Sequence, residues 1–357
     1  MKQSAPGPVL SSQHQSPLSC LSPKISEVAH SNFSLPPLED IVKIRSPTLK
    51  FVPKSIRSEW SRAWTETIQD CLYLNDLDSY TYLFLLTKTC LRVPASNIRS
   101  KKSKEEFTLN LLKRWRGSIF SPNNNSKFEA RITLWNELVQ FSSSQPKQKF
   151  TREEINLNKK RILQMVADGR LSAASASLLS DALSDPSEEN LAKLQEKHPA
   201  QDVPVNIPPP SNTPQAKIAA KLVLQKLRSF PKGSAAGPTG TRASHILHAI
   251  QVKNPTSALE TLTDFINHLS SGLVPSEVQP FLAGAYLIGL SKKDGGIRPI
   301  AIGDVYRRLT GQCLSSLILS DANSFFLPFQ CVCAREGAKQ SYTLGETSCM
   351  SYNRMQI

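Results

Sequence analysis

Between His198 and Gln215 the chain places Pro199, Pro204, the run Pro208–Pro209–Pro210 and Pro214. Proline fixes one backbone dihedral and removes an N–H donor, so neither a helix nor a central strand continues through such a stretch. Residues 199–214 are therefore expected to be a semi-extended, polyproline-like linker and a domain boundary. The boundary divides 357 residues into two flanks, each long enough for a domain of about 100–200 residues.

Composition agrees with modules joined by linkers. Hydrophobic residues make up 39% of the chain, below the roughly 45–50% of a fully globular one. Prolines outnumber glycines, 25 to 15. Residues 1–50 are rich in Ser and Pro and lack periodicity, so they are expected to be disordered. No apolar run reaches the ~18 residues of a membrane span, so no membrane partner is expected. The N-terminus has no apolar core of a signal peptide, so the expected location is intracellular, nuclear or cytoplasmic. The seven cysteines stand at 20, 71, 90, 313, 331, 333 and 349. None forms a paired C-x-x-C frame with histidines, so neither a zinc site nor a disulfide scaffold is expected. Cys331 and Cys333 lack visible metal-binding partners. His245 and His248 sit three apart on an expected helix; without a third ligand in reach, a structural role outweighs metal binding.

The net charge of +14 is unevenly spread. Residues 51–165 carry 20 Lys/Arg against 11 Asp/Glu, and residues 216–357 carry 15 against 8. The stretch 166–215 between them carries 3 against 7. Two basic flanks around a mildly acidic middle point to RNA or DNA backbone as the first partner to consider. Ordinary solvated lysines account for the same charge. The clusters Arg99–Lys104, with Lys101, Lys102 and Lys104, and Lys113–Arg116 and Lys159–Arg161 are the candidate contacts. The run RSKKSK also fits a nuclear-targeting pattern.

Hydrophobic periodicity predicts a mainly α protein with a small α+β part. Trp60, Trp64, Ile68 and Cys71–Leu72 recur at helical spacing, with Ser55 or Ser58 as the expected N-cap. A second helix is expected through Tyr82–Leu91, ending before Pro94. Arg99–Lys104 reads as a loop. Leu109–Trp115 and Phe128–Phe141 read as further amphipathic helices. Trp60, Trp64, Trp115 and Trp135 are expected to be core anchors rather than a base-stacking platform. Two helices are expected over 151–183 with a turn at Asp168–Gly169, and a short one opening at Asp185–Pro186. This basic helical module spans 51–198. Beyond the linker, helices are expected through Ile218–Leu227, Ile246 and Leu259–Leu269. Ala285–Leu290 and Ile297–Ile302, joined by Ser291–Lys292–Lys293–Asp294–Gly295–Gly296, carry the signature of a β-hairpin. Asp304 is the expected cap of the next helix, which carries Leu309, Cys313 and Leu317.

Lys292 and Lys293 at the hairpin tip and Arg298 on its return strand could close over a polyphosphate. Glycine lets the backbone approach, and a guanidinium offers two parallel donors to phosphate oxygens. On charge and spacing alone, an exposed solvated turn accounts for these residues better.

The longer phrase is more specific. LIGLSKKDGGIRPIAIGDVYRRLTGQCL, from Leu287 to Leu314, resembles the fingers segment of reverse transcriptases of metazoan, non-LTR-like retroelements. FPKGSAAGPTGTRASHI, from Phe230 to Ile246, resembles the motif that precedes it in that family, with Thr239 where the family has Asp. Phe51–Pro94 and Val166–Ser180 look more loosely like the helical region upstream. The resemblance implies a fragment of polymerase fingers over 215–330. It implies that Lys292 or Lys293 and Arg298 contact an incoming triphosphate, and that Pro299 and Ile300 are structural. Arg307 and Arg308 on the following helix would touch template backbone or be solvated. Gly237 and Gly240 would shape the turn.

The departures set the functional expectation. The family transfers nucleotides with Mg2+ held by palm carboxylates, from an Asp with Ala and an aromatic four and five residues on and from Tyr-x-Asp-Asp. No Tyr-x-Asp-Asp occurs in this sequence. Asp321 is followed at those positions by Phe325 and Phe326 and precedes the segment LPFQCVCAREGAKQSY, which resembles the family's pre-palm phrase but carries Lys339 near an expected acid. After Tyr342 the similarity ends, and 331–357 reads as a divergent tail. The chain is therefore expected to be a truncated reverse transcriptase with no catalytic residues, no metal, no cofactor, no small-molecule substrate and no polymerase activity. The alternative is a non-catalytic nucleic-acid-binding protein using basic helical surfaces. Without a palm, Phe281, Phe325 and Phe326 are expected to be exposed.

Overall fold

Helix α2, Arg57–Tyr73, is the post around which the rest packs in this computed structural model. The structure describes residues 35–95, 97–98, 100–117, 124–144, 187–198, 217–231, 233–252, 256–292 and 296–326, with scattered positions between 159 and 184. The expectations for residues 1–34, the linker at 199–214 and the tail at 331–357 lie outside them; residues 35–50, expected to be disordered, instead contribute the buried Leu38 and Ile41 to the core, because these two apolar side chains find cover on the helices.

The sequence of α2 explains its place. Trp60, Ala63, Trp64, Thr67, Ile68 and Cys71 are all buried, and that spacing lays them along one broad stripe of a 3.6-residue period. The expected Ser cap does not start it. Pro53 opens a single 3-10 turn, Lys54–Ile56, and α2 follows with Ile56 at its N-cap and no side-chain cap. Ser55 instead donates to the Glu105 carboxylate.

Helix α3, Leu77–Cys90, is capped by Asp76, which accepts the Ser79 N–H at 2.9 Å. It is buried along most of its length, which is why its apolar residues show little one-sided pattern. Helix α4, Lys101–Trp115, begins inside the basic run that reads as a loop. Nothing in Lys101–Lys104 breaks a helix, and Ser100 caps it by accepting the Ser103 N–H at 3.0 Å. The lysines are solvated on its first turn. Helix α5, Asn124–Ser144, completes this side. Gly169 lies in a turn at φ +68°, as the Asp168–Gly169 expectation requires, although Asp168 lies outside the described residues. Helix α6 is Leu171–Leu179 and α7 is Glu188–Lys197, capped by Ser187.

The remaining helices are α8, Ala220–Ser229, α9, Ala243–Ile250, α10, Thr256–Ser270, and the short α11, Gln279–Ala283. Strands β1, Ala285–Ser291, and β2, Ile297–Gly303, form an antiparallel hairpin running from Ala285 opposite Gly303 to Ser291 opposite Ile297. It is the one sheet among the described residues. Helix α12, Val305–Leu317, and α13, Leu319–Phe326, follow. The protein is mainly helical with one small sheet.

The packing joins what the sequence reading separates at the prolines. The residues from Leu35 onward form one compact unit, and one core cluster draws on residues from Leu38 to Leu134 and from Ile218 to Cys313. Helix α2 packs on α9 and α10 as well as on α3 and α4. Trp60 Nε1–H donates to the His245 carbonyl at 2.9 Å. Trp64 Nε1–H donates to the Tyr306 hydroxyl at 2.8 Å. Trp115 Nε1–H donates to the Thr67 hydroxyl at 3.3 Å. These three rings are fully buried and Trp135 packs on the core's edge, so the tryptophans are anchors. Sequence periodicity finds the two apolar faces but not that each is the other's partner.

Phe325 is 76% exposed and Phe326 37%, and their rings meet edge to face at 5.2 Å. Phe281 departs from expectation: it is partly buried and packs on the core.

Trp64→Phe leaves the Tyr306 hydroxyl with Thr241 alone and removes buried ring volume. It should lower stability by about 1–3 kcal/mol, read as an earlier urea midpoint with an unchanged slope.

Candidate nucleic-acid interface

The two sequence segments that carry the family resemblance meet at one corner. Strand β2 ends at Gly303, and Asp304 then caps α12 by accepting the Tyr306 N–H at 3.1 Å. The Asp304 carboxylate also accepts the Thr239 N–H at 2.9 Å, which draws the turn 237–241 onto the hairpin's end. Gly237 touches Asp304 backbone to backbone. A Cβ there would lie 2.4 Å from the Asp304 Cα and 2.6 Å from its nitrogen. Gly240, at φ +75°, takes a left-handed conformation that a side chain disfavours.

Both ionisable groups behind this corner are buried. Burial pushes the Asp304 carboxyl upward, opposed by the Thr239 and Tyr306 N–H groups and by Arg308. Lys88 donates to the Ile41 carbonyl at 2.6 Å and to the Tyr286 hydroxyl at 3.4 Å. Its burial lowers the ammonium pKa to about 7, with Asp304 acting the other way. The Tyr286 hydroxyl donates to the Val42 carbonyl at 2.7 Å, fixing the base of the hairpin to the last turn of α1, Leu38–Lys43.

The hairpin holds the candidate nucleotide-site residues at its far end. Arg298 is exposed, opposite Leu290, on the face it shares with Ile288 and Ile300. Lys292 lies just beyond the last strand pair, with its N–H on the Gly296 carbonyl at 2.8 Å. Lys293 lies outside the described residues. On the opposite face Ser184 covers Gly289, donating its N–H and hydroxyl to the Gly289 carbonyl at 2.9 and 3.1 Å. Helix α7 packs against β2.

Arg307 and Arg308 are tied to the protein itself. The Arg307 guanidinium donates to the Ala283 carbonyl. Arg308 donates to the Ala235 carbonyl at 2.8 Å and lies over the Phe230 ring at 5.4 Å. They lock α11 and the glycine–proline turn onto α12. Lys101, Lys102 and Lys104 are exposed beside Glu105 and Glu106. Arg114 pairs with Glu137, and Arg116 with Glu59 and Glu66, at 2.6 to 3.0 Å. Much of the expected basic surface of α4 is thus neutralised internally. Of Lys159–Arg161, only Lys159 lies among the described residues, and it is exposed.

His245 and His248 are structural. His245 is fully buried; its Nδ1 accepts the Arg242 N–H at 3.2 Å and its Nε2 faces the Leu49 carbonyl at 2.7 Å. His248 Nδ1 accepts the Val52 N–H at 3.2 Å. The two rings pin residues 49–52 along α9. Burial lowers their pKa values to about 3 and about 4.

No group of three His, Cys, Asp or Glu side chains able to hold a metal ion occurs among the described residues. Asp304 is engaged by two backbone N–H groups.

What charge clustering along the sequence misses is a second basic surface, at Lys50, Arg228 and Arg242 beside the exposed ring of Phe51. Those residues are far apart in the chain. The available signal is the lack of any Asp or Glu from 203 to 259.

Gly237→Ala forces a backbone contact apart and should cost about 3 kcal/mol or more, measured by chemical unfolding. His245 has a folded pKa below its unfolded value, so the unfolded chain takes up the extra proton between about pH 6.5 and 3. The stability it contributes is complete above that window and is lost as pH falls through it. Between pH 6.5 and 4, His245→Gln should flatten the stability profile relative to wild type. An unchanged slope would mean the ring is not held neutral.

No protein-family model, curated protein or solved structure matches this chain.

Proposed function

We propose that this chain is a reverse-transcriptase-like polypeptide that binds the backbone of RNA or DNA and does not polymerise nucleotides by itself. The observation that carries the reading is the corner at Gly237 and Asp304. Two segments that resemble one family's consecutive motifs, separated by α10 and α11, close on each other there. The corner fixes the base of a hairpin whose far end carries Lys292 and Arg298. A basic, two-stranded projection on a rigid helical body is suited to phosphate contacts, which position a strand without reading its sequence. Catalysis by the family needs carboxylates this sequence does not carry: Tyr-x-Asp-Asp is absent, and the hairpin alone offers no group to activate a 3′-hydroxyl.

A second reading leaves the hairpin out and assigns binding to helical lysines alone. The exposure of Lys101, Lys102, Lys104 and Lys113 favours it. The two readings differ in what Lys292→Glu/Arg298→Glu does.

The test is fluorescence anisotropy with labelled single-stranded RNA and DNA across a salt series. Affinity should fall steeply with salt and vary little with sequence. The hairpin double variant should weaken binding about tenfold, losing roughly one unit of salt slope per phosphate contact. Primer extension with Mg2+ or Mn2+ should yield no product. Metal-dependent synthesis by the purified chain would overturn the non-catalytic part of the reading.

A further inference from the structure

Two stretches of this sequence hold no acidic residue. From 41 to 58 there are five Lys/Arg and no Asp or Glu, and from 203 to 259 there are seven and none. The fold lays part of the first stretch along part of the second. Ser244 donates to the Lys50 carbonyl at 2.8 Å, and the two histidines of α9 hold Leu49 and Val52. Between these segments lies a cavity of about 260 Å3, lined among others by Lys50, Phe51, Arg228, Arg242 and His248, with no carboxylate among the described residues of its wall.

Each part of the wall has a chemistry of its own. Lys50 and Arg228 are exposed, with their charges at the mouth. Arg242 lies deeper, with one arm on the Ser234 carbonyl at 2.9 Å and a buried Nε that has no partner among the described residues. The Phe51 ring is 59% exposed, an arrangement that costs free energy in water unless something covers it. It lies 6.1 Å from the His248 ring, tilted by 45°. Burial and the nearby Arg57 keep His248 uncharged near neutral pH, so that ring is an aromatic wall rather than a further cation. Lys54 and Lys221, in the same two acid-free stretches, are exposed as well.

We infer that this cavity anchors a single-stranded nucleic acid, with one unstacked base on Phe51 and the flanking phosphates on Lys50, Arg228 and Arg242. The inference rests on the nucleic-acid-binding reading above and assigns it a second contact surface. Aromatic stacking beside a basic track is how sequence-tolerant single-strand binding is built. The volume is close to the small end of ligand pockets, about 300 Å3, which suits one nucleotide unit and excludes a duplex. The further cations of the two acid-free stretches suit a strand better than a free nucleotide.

The experiment uses the full chain and a labelled oligouridine of about twelve residues. Lys50→Glu/Arg228→Glu should weaken binding at least tenfold and reduce the salt slope by about two. Phe51→Ala should weaken it fivefold or more while leaving the salt slope unchanged. Photocrosslinking of a 4-thiouridine strand to wild type should mark the peptide containing Phe51, which keeps the test independent of how the variants fold. Adenosine monophosphate and inorganic phosphate at millimolar levels should compete poorly. Efficient competition by either, per nucleotide, would make this a free-nucleotide or phosphate pocket and overturn the strand assignment. Wild-type binding that both cavity variants leave intact would overturn the inference while the broader reading stands. Loss in the cavity variants with none in Lys292→Glu/Arg298→Glu would support the inference and remove the hairpin from the reading. A wild-type chain that binds no strand would overturn both.

Discussion

A single buried carboxylate ties together the two segments on which the second half of the molecule is built. Asp304 caps α12 through the Tyr306 N–H and receives the Thr239 N–H from the turn upstream. A charge removed from water survives only where donors surround it. Those donors come from two segments about sixty residues apart, so satisfying the carboxylate is the same event as docking the turn. The consequences spread from there. The cap sets the start of α12, which places Tyr306 under the Trp64 indole and edge-on to Phe265 at 5.4 Å. Gly237 allows the backbone contact, and the buried Lys88 side chain from α3 packs behind it, against Gly240.

The cations of this chain are divided by chemistry. Arginines do much of the internal work. Arg92, 8% exposed, pairs with Glu137 at 2.9 Å, and Arg131 lies over Tyr82 and Trp115 at 4.1 and 4.8 Å. Arg307 and Arg308 clamp backbone carbonyls. A planar guanidinium suits these sites because it stacks and donates in several directions at little hydration cost. Among the described residues, lysines are mostly left at the surface, with Lys88 the buried exception. The net charge of +14 therefore overstates the surface available to a polyanion, and the location of the unpaired remainder matters more than the total.

Much of this architecture is legible in the sequence, and the failures have physical causes. The hairpin is read to within a residue at each strand end because alternation, a glycine-rich tip and flanking helices agree there. The tryptophans read as core because their spacing is helical and their neighbours are apolar. The start of α4 is missed because a lysine-rich run looks like a loop, whereas charged residues are good helix formers once Ser100 caps them. The undivided core is missed because periodicity records which face is apolar and nothing about its partner. Prolines forbid regular structure locally but say nothing of packing, and helices from before and after 199–214 share one interior. The cavity near Phe51 escapes a search for charge clusters, since its cations are spread over nearly two hundred residues. What the sequence does hold is a long interval without acids, a pattern visible as an absence.

The residue at 239 ties the sequence departure to the corner itself. Thr239 has its N–H and its hydroxyl on the Asp304 carboxylate, and the same hydroxyl accepts the Thr241 N–H at 3.2 Å. A hydroxyl donates and accepts at once; an ionised carboxylate only accepts. An aspartate at 239, as the resembling family carries, would set a second buried negative charge against Asp304 and leave that carboxylate one donor short. Like charges so close cannot both stay ionised in a buried site. The acid at 304 and the threonine at 239 are thus two halves of one arrangement. In this chain the turn holds the hairpin through a single carboxylate, and Thr239 is what makes that carboxylate tolerable.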